Sequence, residues 1–481
     1  MTPRNPLRRP ALTAAVLATV LAVGGAGAAP SLAGGVVGTP GADGIGDPYF
    51  PLDGNGGYDV QSYDVHDRYR FGTGRLTGRT TVTLTATQDL SSLDLDFLLP
   101  VDEVLVDGVA AGHARPDNDH ELVVTPATGI PAGSTVEVRV SYAGRPGEVS
   151  WRGESNWLAD RHEVVAMNEP HMAPWWFPAN DHPLDKAAMD ISIRVPADRQ
   201  VIANGERVGR TVHADGTATT SWHADEPMVP YLAFFAAGRF AVDHGTTAGI
   251  PWYVAASEQL RDRDTRASMT QLRRSASIVH WLQGQLVDYP FATTGGVVTS
   301  LDAGFALENQ TRPTYWPLGR GSTGVLVHEL AHQWFGDSVS VHHWRDVWLN
   351  EGAATFMQVR WTETHGGPSA QHWLHSWYDS YRAGSRFWDL TIGDPGRNRI
   401  FDGAVYTRGA MALQALRHRI GNGAFWTTIR TWLTDRADGN GSTEDFQAVA
   451  ESTSGEDLDS FFTAWFFTDA KPDPTAANGL D

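Results

Sequence analysis

The sequence predicts an α+β multidomain protein, with an all-β half followed by a mostly helical half. Two textures carry that prediction. From about Tyr58 the chain runs in short alternating stretches, at 80–85, 93–98, 136–140 and 189–195, separated by glycine, proline and aspartate turns. Period-two alternation sends every second side chain to one face, so these are strands, and the all-β region extends to about Phe240. Beyond it the apolar residues recur at three and four. Segments 265–286, 323–334, 347–361, 409–420, 443–452 and 458–466 are therefore predicted helices.

At the amino terminus Arg4, Arg8 and Arg9 precede an apolar stretch at 11–23 and the small residues Ala26, Gly27 and Ala28. This is the pattern of a secretory signal peptide at 1–28, with cleavage expected after Ala28. Its apolar core is too short for a membrane span, and no later stretch is long and apolar enough for one. The mature protein is expected to be soluble and secreted. Residues 29–46, rich in glycine with Pro30 and Pro40, read as a flexible leader. The β domain then covers 47–241 and the helical domain 242–470. A tail at 471–481, with Pro472, Pro474 and Gly479, reads as a frayed end.

The chain contains no cysteine, which excludes disulfides, thiolate metal ligands and a cysteine nucleophile. Stability must come from packing, for which 41% hydrophobic residues and 18 tryptophans supply the material. A net charge of −19 argues against a nucleic-acid partner, since phosphate binding needs clustered positive charge.

The chemistry concentrates in the run His328-Glu329-Leu330-Ala331-His332, followed after eighteen residues by Glu351. On a helix, residues four apart share one face, so His328 and His332 can turn imidazole nitrogens toward one metal. A catalytic zinc keeps three protein ligands and an open position. Glu351 would be the third ligand, leaving Glu329 as the general base that takes a proton from water. Two imidazoles and a carboxylate suit zinc among divalent metals. The alternative to this assignment is a pair of core histidines with a surface glutamate.

Several further blocks occur in order. They are Asn168-Glu169-Pro170, Phe177-Pro178 with Asp181, Ala306-Leu307-Glu308-Asn309, Gln333-Trp334-Phe335-Gly336-Asp337, the stretch 344–352, and Val405-Tyr406-Thr407-Arg408-Gly409-Ala410. Together with the metal motif they resemble the aminopeptidase N family of gluzincin metallopeptidases over roughly 58–474. The resemblance implies a saddle-like β-sheet domain ahead of a thermolysin-like, mostly helical zinc catalytic domain, with one Zn2+ per chain. It also implies that Glu308 and Glu169 bind the free α-amine of a peptide and that Tyr406 donates a hydrogen bond to the oxyanion. Two neighbouring carboxylates raise one another's pKa unless a cation joins them, so they favour a substrate presenting an ammonium. The expected partners are peptides with a free amino terminus. Where the family has glycine and methionine before the glutamate, this chain has Phe305 and Leu307, with Gly304 one place early. Preference for a first side chain is therefore not carried over. Many relatives continue into a large helical domain above the site, whereas this chain ends soon after the catalytic segment, which predicts a more open site.

Asp337 and Asp346 fit structural caps or ion pairs as well as outer support of the metal ligands, and His342 and His343 fit loop histidines. The rival readings are a zinc endopeptidase that ignores the amine, an epoxide hydrolase, and a non-catalytic binding protein with a structural metal. Structural zinc is normally closed by four ligands, which disfavours the last.

Overall fold

The computed structural model describes residues 38–116 and 120–481, so the signal peptide and residues 29–37 of the leader lie outside them. Strands dominate as far as Ile250–Ser257, and helices follow. The largest sheet has eight strands in the spatial order Glu206–Val212, Thr217–Met228, Ala187–Pro196, Tyr58–Arg70, Arg75–Ala86, Thr135–Gly144, Val101–Val106 and Val109–Ala110. All pairs are antiparallel except Ala187–Pro196 beside Tyr58–Arg70. In Tyr58–Arg70 the buried set starts at Tyr58 and Val60, then shifts parity to Tyr63, Val65, Asp67 and Tyr69. The shift falls on the irregular register between Val60 and Ser62, where one extra residue swaps which side chains face inward.

The described end of the predicted leader, 38–46, and the tail at 471–481 are both held down. Thr39–Pro40 pairs in parallel with Leu90 and Ser92, and the Asp47 carboxylate accepts from the amides of Tyr49 (2.7 Å), Phe50 (3.1 Å) and Trp344 (2.9 Å). The glycines there serve close approach: a Cβ on Gly44 would lie 1.9 Å from the Pro51 carbonyl oxygen, and one on Gly41 2.7 Å from that of Gly56. The 471–481 tail is likewise packed. Lys471 Nζ donates to the carbonyls of Tyr378 (2.7 Å) and Tyr381 (2.9 Å), Trp465 Nε1 donates to Asn478 O (3.1 Å), and Leu480 is buried.

The helical half begins on a four-stranded sheet, Phe240–Thr247, Ile250–Ser257, Thr294–Val298 and Thr314–Tyr315. Its first pair is antiparallel and the other two are parallel. The predicted helix 265–286 is two helices, Asp262–Leu272 and Ser275–Gln285. At the break Arg274 Nη1 donates to Gln271 Oε1 (2.9 Å) and to Thr323 Oγ1 (2.7 Å), at the start of the helix Thr323–Ala331. Trp348–Thr364 packs on both Thr323–Ala331 and Gly403–Asp435. Gly403–Asp435 bends at Gly421, whose φ is 81°. Among the described residues no helix is long and apolar enough to cross a membrane.

The two halves belong to one unit and share buried polar ties. Arg312 is fully buried, with Nη1 donating to the carbonyls of Ala203 (2.6 Å) and Gly205 (3.0 Å) in the β half. Its guanidinium lies over the rings of Trp222 and Tyr253, and burial lowers its pKa to about 10. Lys186 Nζ reaches the other way, donating to the carbonyls of Asp337 (2.9 Å) and Ser338 (2.7 Å) just past the metal motif. These ties fix the strand-rich half against the helices, which is what allows both to contribute to one site.

Candidate active site

His328 sits on the helix Thr323–Ala331 and His332 at its carboxyl-terminal cap, one turn apart. Their Nε2 atoms are 3.2 Å from each other. Glu351 Oε2, from the first turn of Trp348–Thr364, lies 3.2 Å from His328 Nε2 and 3.4 Å from His332 Nε2. His332 Nδ1 is 3.0 Å from the Phe335 carbonyl oxygen, and donating there leaves Nε2 with a free lone pair. A tetrahedral zinc with ligand bonds of ~2.0–2.1 Å spaces its ligand atoms ~3.3 Å apart. The triangle of donors therefore fits the ion, and it has three corners rather than the four of a closed structural site.

A cavity of about 450 Å³ opens over this triangle, and all seven predicted site residues line it: Glu169, Glu308, His328, Glu329, His332, Glu351 and Tyr406. Oxygens of Glu308 and Glu329 lie within 4.8 Å of each other and of a His332 ring nitrogen. Glu329 is buried and lines the same cavity, near His332 but not one of the three corners of the donor triangle. The Tyr406 ring lies nearly parallel to that of His328, 6.1 Å between centroids and 17° between planes. Burial and the negative charges of Glu351 and Glu169 raise the pKa of its phenol well above the ordinary value, keeping it a donor.

Glu308 is placed by the sheet edge. Leu307 exchanges both backbone hydrogen bonds with Thr314 (2.9 and 2.7 Å), and Gln333 Nε2 donates to the Glu308 carbonyl (3.0 Å). Gln333 Oε1 meanwhile accepts from the amide of Thr311 (2.7 Å), a β-branched residue held at φ 68°. The residue after the second histidine is thus a clamp between the helix Thr323–Ala331 and the segment that carries Glu308, a role the motif alone does not disclose. Glu169 comes from the β half, just past the strand Val164–Ala166, and its Oε1 is buried without a hydrogen-bond partner. Burial raises the pKa of both carboxyls, and their repulsion adds to it at Glu169. A cation between them would reverse that penalty.

What brings Tyr406 to Glu351 is a contact between two glycines. A Cβ on Gly352 would meet Gly409 Cα at 2.9 Å, and one on Gly409 would meet Gly352 Cα at the same distance. The helices Trp348–Thr364 and Gly403–Asp435 touch backbone to backbone there, one residue from a metal ligand and three from Tyr406. Gly352→Ala is expected to cost about 1–3 kcal/mol of stability by forcing them apart. Displacing Glu351 from Tyr406 is expected to cost ~100-fold in turnover. Urea denaturation and steady-state kinetics check both, and a variant with unchanged stability and rate would show the close approach to be dispensable.

Asp346 belongs to the scaffold: its Oδ1 accepts from Thr443 N (3.0 Å) and Thr443 Oγ1 (2.6 Å) at the start of another helix. His343 faces Asp47 (3.7 Å), away from the metal triangle. Three residues that border the cavity have no signature in the motifs: Trp316, Phe401 and the irregular Phe305, each more than a third exposed.

Comparison with known proteins places the two halves in one family. The Peptidase M1 N-terminal domain model matches residues 60–232 and the Peptidase family M1 domain model matches 318–465. Aminopeptidase M1-B of Oryza sativa subsp. japonica is 26% identical over 338 residues, 66% of this chain and 37% of that protein. Aminopeptidase N of Lactococcus lactis is 23% identical over 76% of this chain and 46% of its own length. The chain thus spans less than half the length of these two curated relatives. A solved M1 zinc metallopeptidase from Deinococcus radiodurans, 27% identical, superposes with a TM-score of 0.77 over 85% of this chain and 93% of that one. A mutant of that enzyme bound to a Tyr-Ser-Ala substrate gives 0.81, at 26% identity, over 90% of this chain and 100% of its own. One matched model lies on the strands that deliver Glu169 and the other on the helices that carry His328, Glu351 and Tyr406, so the chain belongs to peptidase family M1, the aminopeptidase N family of gluzincin metallopeptidases.

Proposed function

We propose that the protein is a secreted zinc-dependent aminopeptidase that hydrolyses the first peptide bond of peptides bearing a free amino terminus. One observation carries the reading: a three-donor metal triangle, a separate buried carboxylate and two more carboxylates that pair with no lysine or arginine among the described residues share one cavity. The relatives support it, since they include proteins named as aminopeptidases and an M1 zinc metallopeptidase bound to a tripeptide. The charge and hydropathy pattern of residues 1–28 supports export, which mass measurement of a mature amino terminus beginning at Ala29 would check.

His328, His332 and Glu351 hold the metal. When bound there, zinc supplies Lewis-acid polarisation of the scissile carbonyl and lowers the pKa of water toward ~7. Glu329 accepts the proton of the attacking water and delivers it to the leaving amine. Tyr406 donates its hydroxyl proton in a hydrogen bond to the oxyanion. Glu169 and Glu308 hold the substrate ammonium, which sets the first residue against the metal and makes the next bond the one that is cut. The positioning depends on a charge that acetylation removes. A peptide and its amino-terminally acetylated copy, compared by mass spectrometry of the products, are expected to differ by ~1000-fold or more in rate. Equal cleavage of the two would replace this reading with the endopeptidase one.

A further inference from the structure

Beyond Glu169 and Phe401, which form a shared wall, the catalytic cavity adjoins a second cavity of about 750 Å³. Its position relative to the substrate follows from the amine. The ammonium gripped by Glu169 and Glu308 is the end of the chain, so no peptide backbone extends past those carboxylates. The other group on the same carbon is the side chain of the first residue. A space that adjoins the amine anchor therefore lies nearer to that side chain than to the rest of the peptide.

The walls of this cavity have a definite chemistry. Three arginines face it, Arg152, Arg397 and Arg399, together with three carboxylates. Each carboxylate is already engaged. Glu154 Oε2 lies 2.9 Å from His171 Nδ1 and accepts from Asn156 Nδ2 (3.0 Å). Asp402 accepts from the Ala404 amide (3.0 Å) and pairs with Arg399 (3.1 Å). Glu169 is committed to the amine in the proposed function. Arg152 and Arg397, both exposed, make no ion pair among the described residues and rest on ring faces, over Trp151 at 4.5 Å and Phe50 at 4.9 Å; the charge of Arg397 is also felt by Glu154, whose pKa it helps to lower. Two guanidiniums at one cavity, each with a free fork of donors, form a seat for a carboxylate.

Resting on the aminopeptidase reading, we propose that this cavity receives the side chain of the first residue and that Arg152 and Arg397 select an acidic one, glutamate ahead of its neutral isostere glutamine. Phe401 and Phe50 supply apolar walls for the methylenes. The chain carries a net charge of −19, so the field of the whole molecule opposes an acidic peptide. Any preference for one must therefore come from local cations.

The test compares kcat/KM for glutamyl, glutaminyl and leucyl p-nitroanilides at low salt. Calorimetric Kd values for free L-glutamate and L-glutamine on the zinc-loaded Glu329→Gln protein provide a second readout. Two partly exposed charge pairs make glutamate over glutamine an advantage on the order of tenfold in both. In the Arg152→Gln/Arg397→Gln protein the glutamate-to-glutamine ratio falls toward one, and Arg397→Lys alone keeps part of it. Because each ratio is taken within one variant, a general loss of fold or rate does not imitate the result. Leucyl turnover with no glutamate preference, or a preference that survives the double substitution, overturns the proposal and leaves the aminopeptidase reading standing. Turnover of no free-amine substrate overturns both.

Discussion

Glu329→Gln is expected to leave the protein folded and zinc-loaded while lowering kcat by ~100 to 10,000-fold. The structure separates the two properties that the motif places side by side. In the proposed mechanism metal holding falls to His328, His332 and Glu351, whose donor atoms lie 3.2–3.4 Å apart in a triangle of which Glu329 is not a corner. Proton transfer is the role proposed for Glu329, buried in the same cavity and close to Glu308 and His332. Glutamine has the same shape and can still occupy the space, but its amide cannot accept a proton at the oxygen that faces the water. Zinc content by atomic absorption, thermal melting and single-turnover hydrolysis together check the prediction. A zinc-loaded variant with full turnover would remove Glu329 from the mechanism, and a variant that lost its zinc would make it a ligand instead.

The parts of this site that are legible in the sequence are those whose geometry is local. His328 and His332 are four residues apart on a helix, so the period of the helix alone aligns them, and the blocks around Glu308, Glu351 and Tyr406 are short enough to read directly. What the sequence hides is how distant segments meet. Gly352 and Gly409 are unremarkable as letters, yet their mutual contact sets Glu351 against Tyr406. The glycines at 41 and 44 suggest flexibility by composition, whereas the chain uses them to pass close to other backbone. The prolines of the tail at 471–481 predict a loose end, but Lys471 finds partners far away in sequence and Leu480 is buried. The helix Ala370–Ser380 lies outside the predicted helices although its signal is local: Ser369 accepts from the His372 amide at the cap, and Leu374 and Tyr378 form the buried stripe. The arginine-lined cavity draws on Arg152 from the β half and Arg397 from the helical half, and no spacing rule joins residues so far apart.

The second large effect is expected at Tyr406, where Tyr406→Phe should lower kcat by ~100 to 1000-fold with little change in KM. Two roles for the side chain compete. In one, the ring packs against His328, 6.1 Å between centroids and nearly parallel, and merely supports a metal ligand. In the other, the hydroxyl donates to the oxyanion, and the ring only carries it. Phenylalanine keeps the ring and removes the donor, so it distinguishes them where alanine would not. The phenol remains protonated because burial and the surrounding carboxylates, Glu351 and Glu169 foremost, disfavour a further negative charge. That makes it a donor at a cavity whose other ionisable groups are mostly carboxylates, with Glu351 its hydrogen-bond partner there. A donor in such surroundings has little to stabilise in the neutral substrate carbonyl and much in the charge that develops on it, so its removal should appear in turnover and not in binding. A phenylalanine variant with wild-type kcat would assign Tyr406 to packing, and the oxyanion would then have to be held without a side-chain donor from the helix Gly403–Asp435.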